Sequence, residues 1–371
     1  NVLKQTTSIN AAIKKVCVKD KTKARNINPA LITFDKNEIL HDSTIDVIVE
    51  LIDNADEAFD IVKTALKNKK SVVSANKKMI AEHLKELYDL QAENGVSFLY
   101  EGAACGSIPI IRNLEEYYDN DLLTSIEAIA NGTTNYILTK MANEGLDYNT
   151  ALHGAQKSGF AESNPRLDVK AFDPKYKTSI LLAHAFGLFV DEQQIFNFGI
   201  TNVTNFDFEY ARKNNASIKL IAGAYKKDNW VQGYVIPKFV PDTHMFYNVK
   251  DEFNAVQLEA AFSDNQFFYG KGAGAFPTAS AVIADISALH HNYRYEYKKQ
   301  LANGTNSFSN DVGISVYIRY TDKSQLDKLD FEKIEEYHSV NNINYIIAKV
   351  NLQSLINNNV NEWNDFFITT I

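Results

Sequence analysis

Between residues 45 and 99 the hydrophobic period of the chain switches back and forth, and this constrains the fold more than any other feature. "IDVIVELID" (45–53) is almost continuously apolar, as a parallel strand buried on both faces should be. "ADEAFDIVKTALKNKK" (55–70) then sets Phe59, Val62, Ala65 and Leu66 on one side of a helix. "SVVSAN" reads as a second buried strand, "KKMIAEHLKELYDLQAENG" as a helix closed by Gly95, and "VSFLYEGA" as a third strand. An earlier run, "AAIKKVCVKD" (11–20), is short and β-rich. Strands alternating with helices specify parallel βαβ units in an α/β, doubly wound sheet of the Rossmann type. Such sheets bind ligands beyond the carboxyl ends of their strands. The positions to watch are therefore Asp20, 52–54, 74–77 and 101–106.

After Ser107 the pattern changes. "IPIIRNLEEYY" predicts a helix, "LLTSIEAIA" a strand ending in "NGTT", and "NYILTKMANEG" and "YNTALHGAQKSG" two more helices. "KTSILLAHAFG" (177–187) is apolar enough for a core helix. "SIKLIAGAY", "WVQGYVIPKFV", "NAVQLEAAF" and "NQFFYG" suggest an antiparallel meander, and "GKGAGAFPTASAVIADISAL" a Gly-rich turn and a helix returning to the first sheet. From about Leu301 the sequence is Asn-rich, with "DVGISVYIRY", "INYIIAKV" and "FFITTI" as strands around one or two short helices. The expected division is a dinucleotide-binding domain over 1–105 with 273–300, an α+β substrate and dimerisation domain over 106–272, and a small α+β appendage over 301–371.

A dinucleotide domain normally opens with a strand and G-x-G-x-x-G, whose amides meet the pyrophosphate. The sequence has neither; "NVLKQTTSIN" reads as the tail of the helix that follows such a loop, so residues before Asn1 are expected to be missing. The alternative is a chain that does not bind dinucleotide. With 38 basic and 46 acidic residues the net charge is −8 and no basic run occurs, which argues against a nucleic-acid partner. No apolar run approaches the roughly 20 residues that span a bilayer, and no signal peptide is visible. Cys17 and Cys105 cannot make a disulfide framework, so a reducing, cytoplasmic setting is expected.

"SANK", "EGAACGSIPII", "ANGTTNYIL", "GFAESNPRLDV" with "DPKYK", and "GKGAGAFPTASAV" occur in this order. With them the chain resembles homoserine dehydrogenase of the monofunctional type, from Asn1 to about Leu289. The resemblance implies NAD(P)-dependent interconversion of aspartate 4-semialdehyde and homoserine, on the route to threonine and methionine. It also implies a homodimer or higher homo-oligomer.

It further implies roles for individual residues. Lys77 would reach both nicotinamide and substrate, with Ile52, Ser74 and Asn76 lining the cofactor and Gly274 closing over the nicotinamide. Lys177 would give the proton to the aldehyde oxygen, and Asp173 would orient substrate and lysine. Asp at i and Lys at i+4 share a helix face. Asp173 precedes Pro174, which suits the first helical position, so Asp173 also reads as an N-cap. Glu162 and Asp168 would pair with the substrate ammonium. Asn131, Gly132 and Thr133 would join a strand to a helix whose amides suit a carboxylate, Thr133 being the expected cap. Glu101, Ala104, Gly106 and Ile108 match positions around a monovalent cation, Na or K, held through carbonyls. Cys105 reads as a buried structural thiol; a catalytic thiol would instead mean an acylating aldehyde dehydrogenase. Asp20 favours a ribose hydroxyl, whereas Lys19, Lys21, Lys23 and Arg25 favour a 2′-phosphate; four cations against one acid tilt the expectation to NADP. The tail has the length of an ACT-type regulatory unit but no convincing glycine-bearing ligand loop.

Overall fold

The computed structural model describes residues 2–119, 122–302, 306–340 and 343–371. Strands Val47–Glu50, Ser71–Ser74 and Phe98–Leu99 form a parallel sheet in that order, Val47 lying opposite Ser71 and Val72 opposite Phe98. Helices Ala55–Lys67 and Lys77–Asn94 make the crossovers. Each starts on an asparagine: Asn54 Oδ1 accepts from the Glu57 amide and Asn76 Oδ1 from the Met79 amide. The second helix stops at Gly95, whose φ of 65° lets its amide reach back to the Gln91 carbonyl. Both helices bury one stripe, Ala58, Val62, Ala65 and Leu66 on the first and Met79, Ile80, Leu84 and Leu87 on the second.

The expectation that 45–53 is a strand buried on both faces is corrected. Only Val47–Glu50 is strand, and it lies at the edge of the three-stranded sheet. Ile48 and Glu50 point to the covered side, while Val49 and Leu51 stand 42% and 56% exposed on the open one. Of the run 11–20, only Val16–Cys17 is strand, paired in parallel with Ile32–Thr33 as a separate two-stranded sheet.

A third and larger sheet carries the remaining strands, with the short strands Phe196–Asn197 and Ser307–Phe308 pairing beside its main path. Its order is Asp264–Lys271, Phe253–Ala260, Leu123–Ile129, Ala216–Lys227, Trp230–Pro241, Phe367–Thr370, Gly313–Tyr320, Ile343–Asn351 and Phe331–Val340. The expected meander is thus two hairpins with Leu123–Ile129 inserted between them, where Ile126, Ala128 and Ile129 are buried. The C-terminal strands extend this same sheet, Thr370 lying opposite Lys238. Phe331–Val340 gave no strand signal because "FEKIEEYHSV" is charged, a composition that suits an outermost strand.

Two helices place the chemistry. Phe172–Phe186 is buried at every residue from Asp173 on, and packs between Lys77–Asn94 and the strands Ala216–Lys227 and Trp230–Pro241. It ends at Gly187, φ 71°, where a Cβ would come within 2.5 Å of the Lys299 backbone. Ala275–His290 packs back on Ser71–Ser74 and the turn Glu101–Ala103, so the chain does return to the first sheet. The segment expected as a plain helix from 108 is instead one α-helical turn, Ile110–Arg112, followed by a π-helical turn, Asn113–Tyr117. The wider turn carries Leu114 and Glu115 inward.

Candidate active site

Lys77 opens its helix at the carboxyl end of Ser71–Ser74, while Asp173 and Lys177 lie one turn apart at the start of Phe172–Phe186. The two lysines are a hundred residues apart in sequence, yet one buried carboxylate holds both. Asp173 Oδ1 is 3.0 Å from Lys77 Nζ and Oδ2 is 2.8 Å from Lys177 Nζ. Lys177 Nζ also donates to the Ala130 carbonyl at 2.6 Å. Asn131 Nδ2 donates to Asp173 Oδ2 at 2.9 Å and to Asp168 Oδ1 at 2.6 Å, which ties both acids to the strand end after Ile129. Lys177 is buried and Lys77 is half-exposed, so the group is a buried cluster that reaches the surface through one amine.

The local geometry corrects two expectations. Asp173 is not the N-cap; Ala171, in the left-handed region with φ 66°, takes that place, and Asp173 sits inside the first turn. That frees its carboxylate for side-chain partners. Thr133 is not a cap either, since its hydroxyl donates to the Phe160 carbonyl at 2.5 Å. Asn131 caps helix Gly132–Glu144 instead, its Oδ1 accepting from the Thr134 amide at 2.9 Å. Gly132 is required there, because a Cβ would stand 2.7 Å from the Glu252 carbonyl oxygen.

Charge pairing dominates the electrostatics. Burial alone would raise the Asp173 carboxyl, but Lys177 and Lys77 outweigh it and hold the group well below the usual carboxylate range. Asp173 in turn raises Lys77 against the effect of burial, and the charges of Asp168 and Glu162 add to it. Asp168 is pushed up by burial and then by the neighbouring Asp173, with Asn131 and the lysines opposing. Glu162 is exposed, at a distance where its charge acts on Lys77.

The strand ends beside this cluster are held by side chains. Asn76 Nδ2 donates to the Ile52 carbonyl at 2.9 Å, and the Asn76 amide to Ser74 Oγ at 3.1 Å. Ser74 donates to Glu50 Oε2 at 2.6 Å, and Glu50 Oε1 takes the Ile52 amide at 2.7 Å. Glu50 is buried, which raises its pKa despite these bonds. The sequence reading passed over it; a lone acid inside the apolar run was the only sign. Gly274 caps Ala275–His290 with φ 118°, and Lys19 is exposed beside the Asp20 turn.

Glu101, Ala104, Gly106 and Ile108 share one turn, but the Glu101 carboxylate is already engaged. Its oxygens accept the amides of Ile111 and Arg112 at 2.8 and 2.9 Å. Burial still pushes it up to about 7. Asp285 Oδ2 takes the Glu101 amide at 2.9 Å, while Asp285 Oδ1 is buried without a partner. Among the described residues no cluster of three His, Cys, Asp or Glu side chains could hold a metal ion.

Cys105 is buried, and burial pushes its thiol up to about 11, so almost none is thiolate at neutral pH. Iodoacetamide at pH 8 is expected to label the exposed Cys17 and spare Cys105 in the native protein, and Cys105→Ala should keep its turnover. Peptide mapping that found Cys105 alkylated as fast as Cys17 would revive thiol catalysis.

A family model described as homoserine dehydrogenase matches residues 109–287, and one described as its NAD binding domain matches residues 1–101. A homoserine dehydrogenase of Bacillus subtilis is 37% identical over 284 residues, 76% of this chain and 66% of that protein. This chain therefore spans just under two thirds of that relative. The crystal structure of a homoserine dehydrogenase from Thiobacillus denitrificans superposes with a TM-score of 0.81 at 26% identity, covering 96% of this chain and 89% of the other. A hyperthermophilic archaeal homoserine dehydrogenase in complex with NADPH gives 0.62 at 26% identity, covering 71% and 77%. No helix among the described residues is long and apolar enough to cross a membrane. The chain belongs to the homoserine dehydrogenase family.

Proposed function

We propose that the protein interconverts aspartate 4-semialdehyde and homoserine with a nicotinamide dinucleotide. The observation that carries this reading is the pairing of Lys77 and Lys177 on the two oxygens of Asp173. The neighbouring strand ends suit the cofactor: Ile52, Ser74 and Asn76 lie where parallel sheets bind nucleotides, and Gly274 caps the helix that packs back on Ser71–Ser74. Once bound, the dinucleotide supplies or accepts the hydride.

The residues do the rest. Lys177, held by Asp173 and the Ala130 carbonyl, gives its proton to the aldehyde oxygen as the alcohol forms, and recovers it in the reverse direction. Asp173, whose pKa is driven far down, stays ionised; it fixes the amines and stores no proton. Lys77 is half-exposed and bridges cofactor and substrate. Glu162 and Asp168 receive the substrate ammonium, and the amides of Gly132 and Thr133 its carboxylate. The test is absorbance at the reduced-cofactor band with homoserine and either NADP or NAD; no reduction with either ends the reading.

For the cofactor we favour NADP. Asp20 Oδ1 is used by its own turn, accepting from the Thr22 amide and hydroxyl at 2.7 Å and the Lys23 amide at 3.2 Å. That leaves the lysines to meet a 2′-phosphate. Lys19→Ala with Lys23→Ala should raise the NADP KM roughly tenfold, about 1.4 kcal/mol for one lost phosphate pairing, and spare that for NAD. An equal effect on both cofactors would refute it.

We also propose a monovalent cation at the turn of Glu101, Ala104, Gly106 and Ile108; what supports it is the unpaired Asp285 oxygen, whose carboxylate partner atom takes the Glu101 amide. A homodimer is proposed too, supported by exposed Leu122, Met245, Phe262 and Tyr269. Light scattering would measure it.

A further inference from the structure

The C-terminal half of helix Phe172–Phe186 carries a polar group that the chemistry above does not use. His184 is 1% exposed, two turns beyond Lys177 and so roughly 10 Å along the same helix face. Its Nδ1 lies 2.6 Å from Glu115 Oε1 and its Nε2 2.8 Å from the Tyr100 hydroxyl, which is itself 2.5 Å from the Tyr297 hydroxyl. The other Glu115 oxygen accepts the amides of Glu296 and Tyr297, both at 3.0 Å. Lys299 adds bonds to the Leu114 and His184 carbonyls at 2.8 and 3.0 Å.

Donor counting gives the group a direction. Glu115 accepts three hydrogen bonds, and His184 holds its carboxyl below the usual range although burial opposes this. With Nδ1–H donating to Glu115, Nε2 is an acceptor; Tyr100 donates to it and accepts from Tyr297. Each of the three contacts from Tyr297 through Tyr100 and His184 to Glu115 then pairs one donor with one acceptor.

Its place in the fold is what matters. Tyr100 directly follows the last strand of the first sheet, Phe98–Leu99, and caps the turn that begins at Glu101. Glu115 sits on the π-helical turn through which the chain leaves that sheet. Tyr297 and Lys299 lie on the segment after Ala275–His290, where the chain leaves it again. These two crossings and the helix bearing Asp173 and Lys177 are thus tied at one buried point, at the far end of that helix from Asp173.

We propose that His184, held between Glu115 and Tyr100, is a positioning residue that fixes the axial setting of the Lys177 helix against the sheet bearing Lys77. The lock keeps the proton donor aligned with the hydride path. The inference rests on the oxidoreductase reading. Near-attack alignment is worth orders of magnitude in rate, and displacements of about 1 Å cost up to ~10²-fold.

The test is Tyr100→Phe, which removes one hydroxyl and keeps the ring, with Tyr317→Phe as a control losing a buried hydroxyl elsewhere (to Asp207, 3.1 Å). Turnover, KM, NADPH binding and the primary isotope effect with 4-deuterated NADPH are measured on all three proteins. Tyr100→Phe is expected to lose roughly tenfold in kcat and to show a larger isotope effect, with KM and NADPH binding within about twofold of wild type. Tyr317→Phe should change melting temperature alone. Should Tyr100→Phe fail to fold, His184→Asn, which can still donate to Glu115, is read the same way. Wild-type kcat and isotope effect in the folded variant would overturn the positioning role while leaving the activity standing. An inactive wild type would sink both.

Discussion

Lys177→Ala is expected to lower kcat at least ~10²-fold, the scale typical of lost acid–base catalysis. The reasoning is geometric. Lys177 Nζ donates to Asp173 Oδ2 and the Ala130 carbonyl, so its third hydrogen is free for a substrate oxygen. No other amine among the described residues is held this way; Lys77 reaches the same carboxylate from its other oxygen and is half-exposed. The fold should survive the change, because Asp173 keeps Lys77 and Asn131, and the cost is a modest one to two hydrogen bonds, about 1–2 kcal/mol. Steady-state kinetics with homoserine, beside a thermal melt, checks both parts. Near-normal kcat in a folded Lys177→Ala protein would remove the lysine from its role.

Asp173→Asn should do more damage to the protein as a whole. The substitution is close to isosteric, but it leaves Lys177 buried without its counter-charge. Breaking a buried pair from one side costs about 3–5 kcal/mol. Activity should fall with it, since the amide no longer anchors either lysine as a charged partner. Chemical denaturation measures the stability part. The pH dependence gives an independent sign. Asp173 is depressed in the folded state, so its contribution is present above the unfolded carboxyl pKa, about 3.9, and fades as pH falls below it. Wild type should lose stability through that acid window, and the difference from Asp173→Asn should shrink there. A constant difference from pH 7 to pH 2 would mean that the pairing is not the cause.

The order of elements in the first hundred residues was readable because the period of hydrophobic residues changes at each boundary and Asn54, Asn76 and Gly95 mark the helix ends. The identity of Lys77, Asp173 and Lys177 came from motif, with the i, i+4 spacing as physical support. What the helix does at Asp173 was not readable. A proline at the next position suggested a cap, but Ala171 adopts a left-handed conformation that no local preference of alanine announces. Its amide donates to the Asp168 carbonyl at 2.9 Å, and Asn131 holds the side chains of Asp168 and Asp173 on either side of it.

By itself, then, the amino-acid order determined the parallel βαβ core, the burial of the 172–186 helix and which polar residues stand at the strand ends, since all three follow from local period and capping chemistry. Tertiary structure alone decided that a carboxylate at 173 bridges two lysines from different parts of the chain. It also set Leu123–Ile129 between two hairpins and buried His184 against Glu115 and Tyr100. Apart from Asp173 with Lys177, one turn apart, those pairings join residues from tens to more than a hundred positions apart, and the free energy that selects them comes from desolvation and strand pairing across the assembled molecule, which no local window of sequence contains.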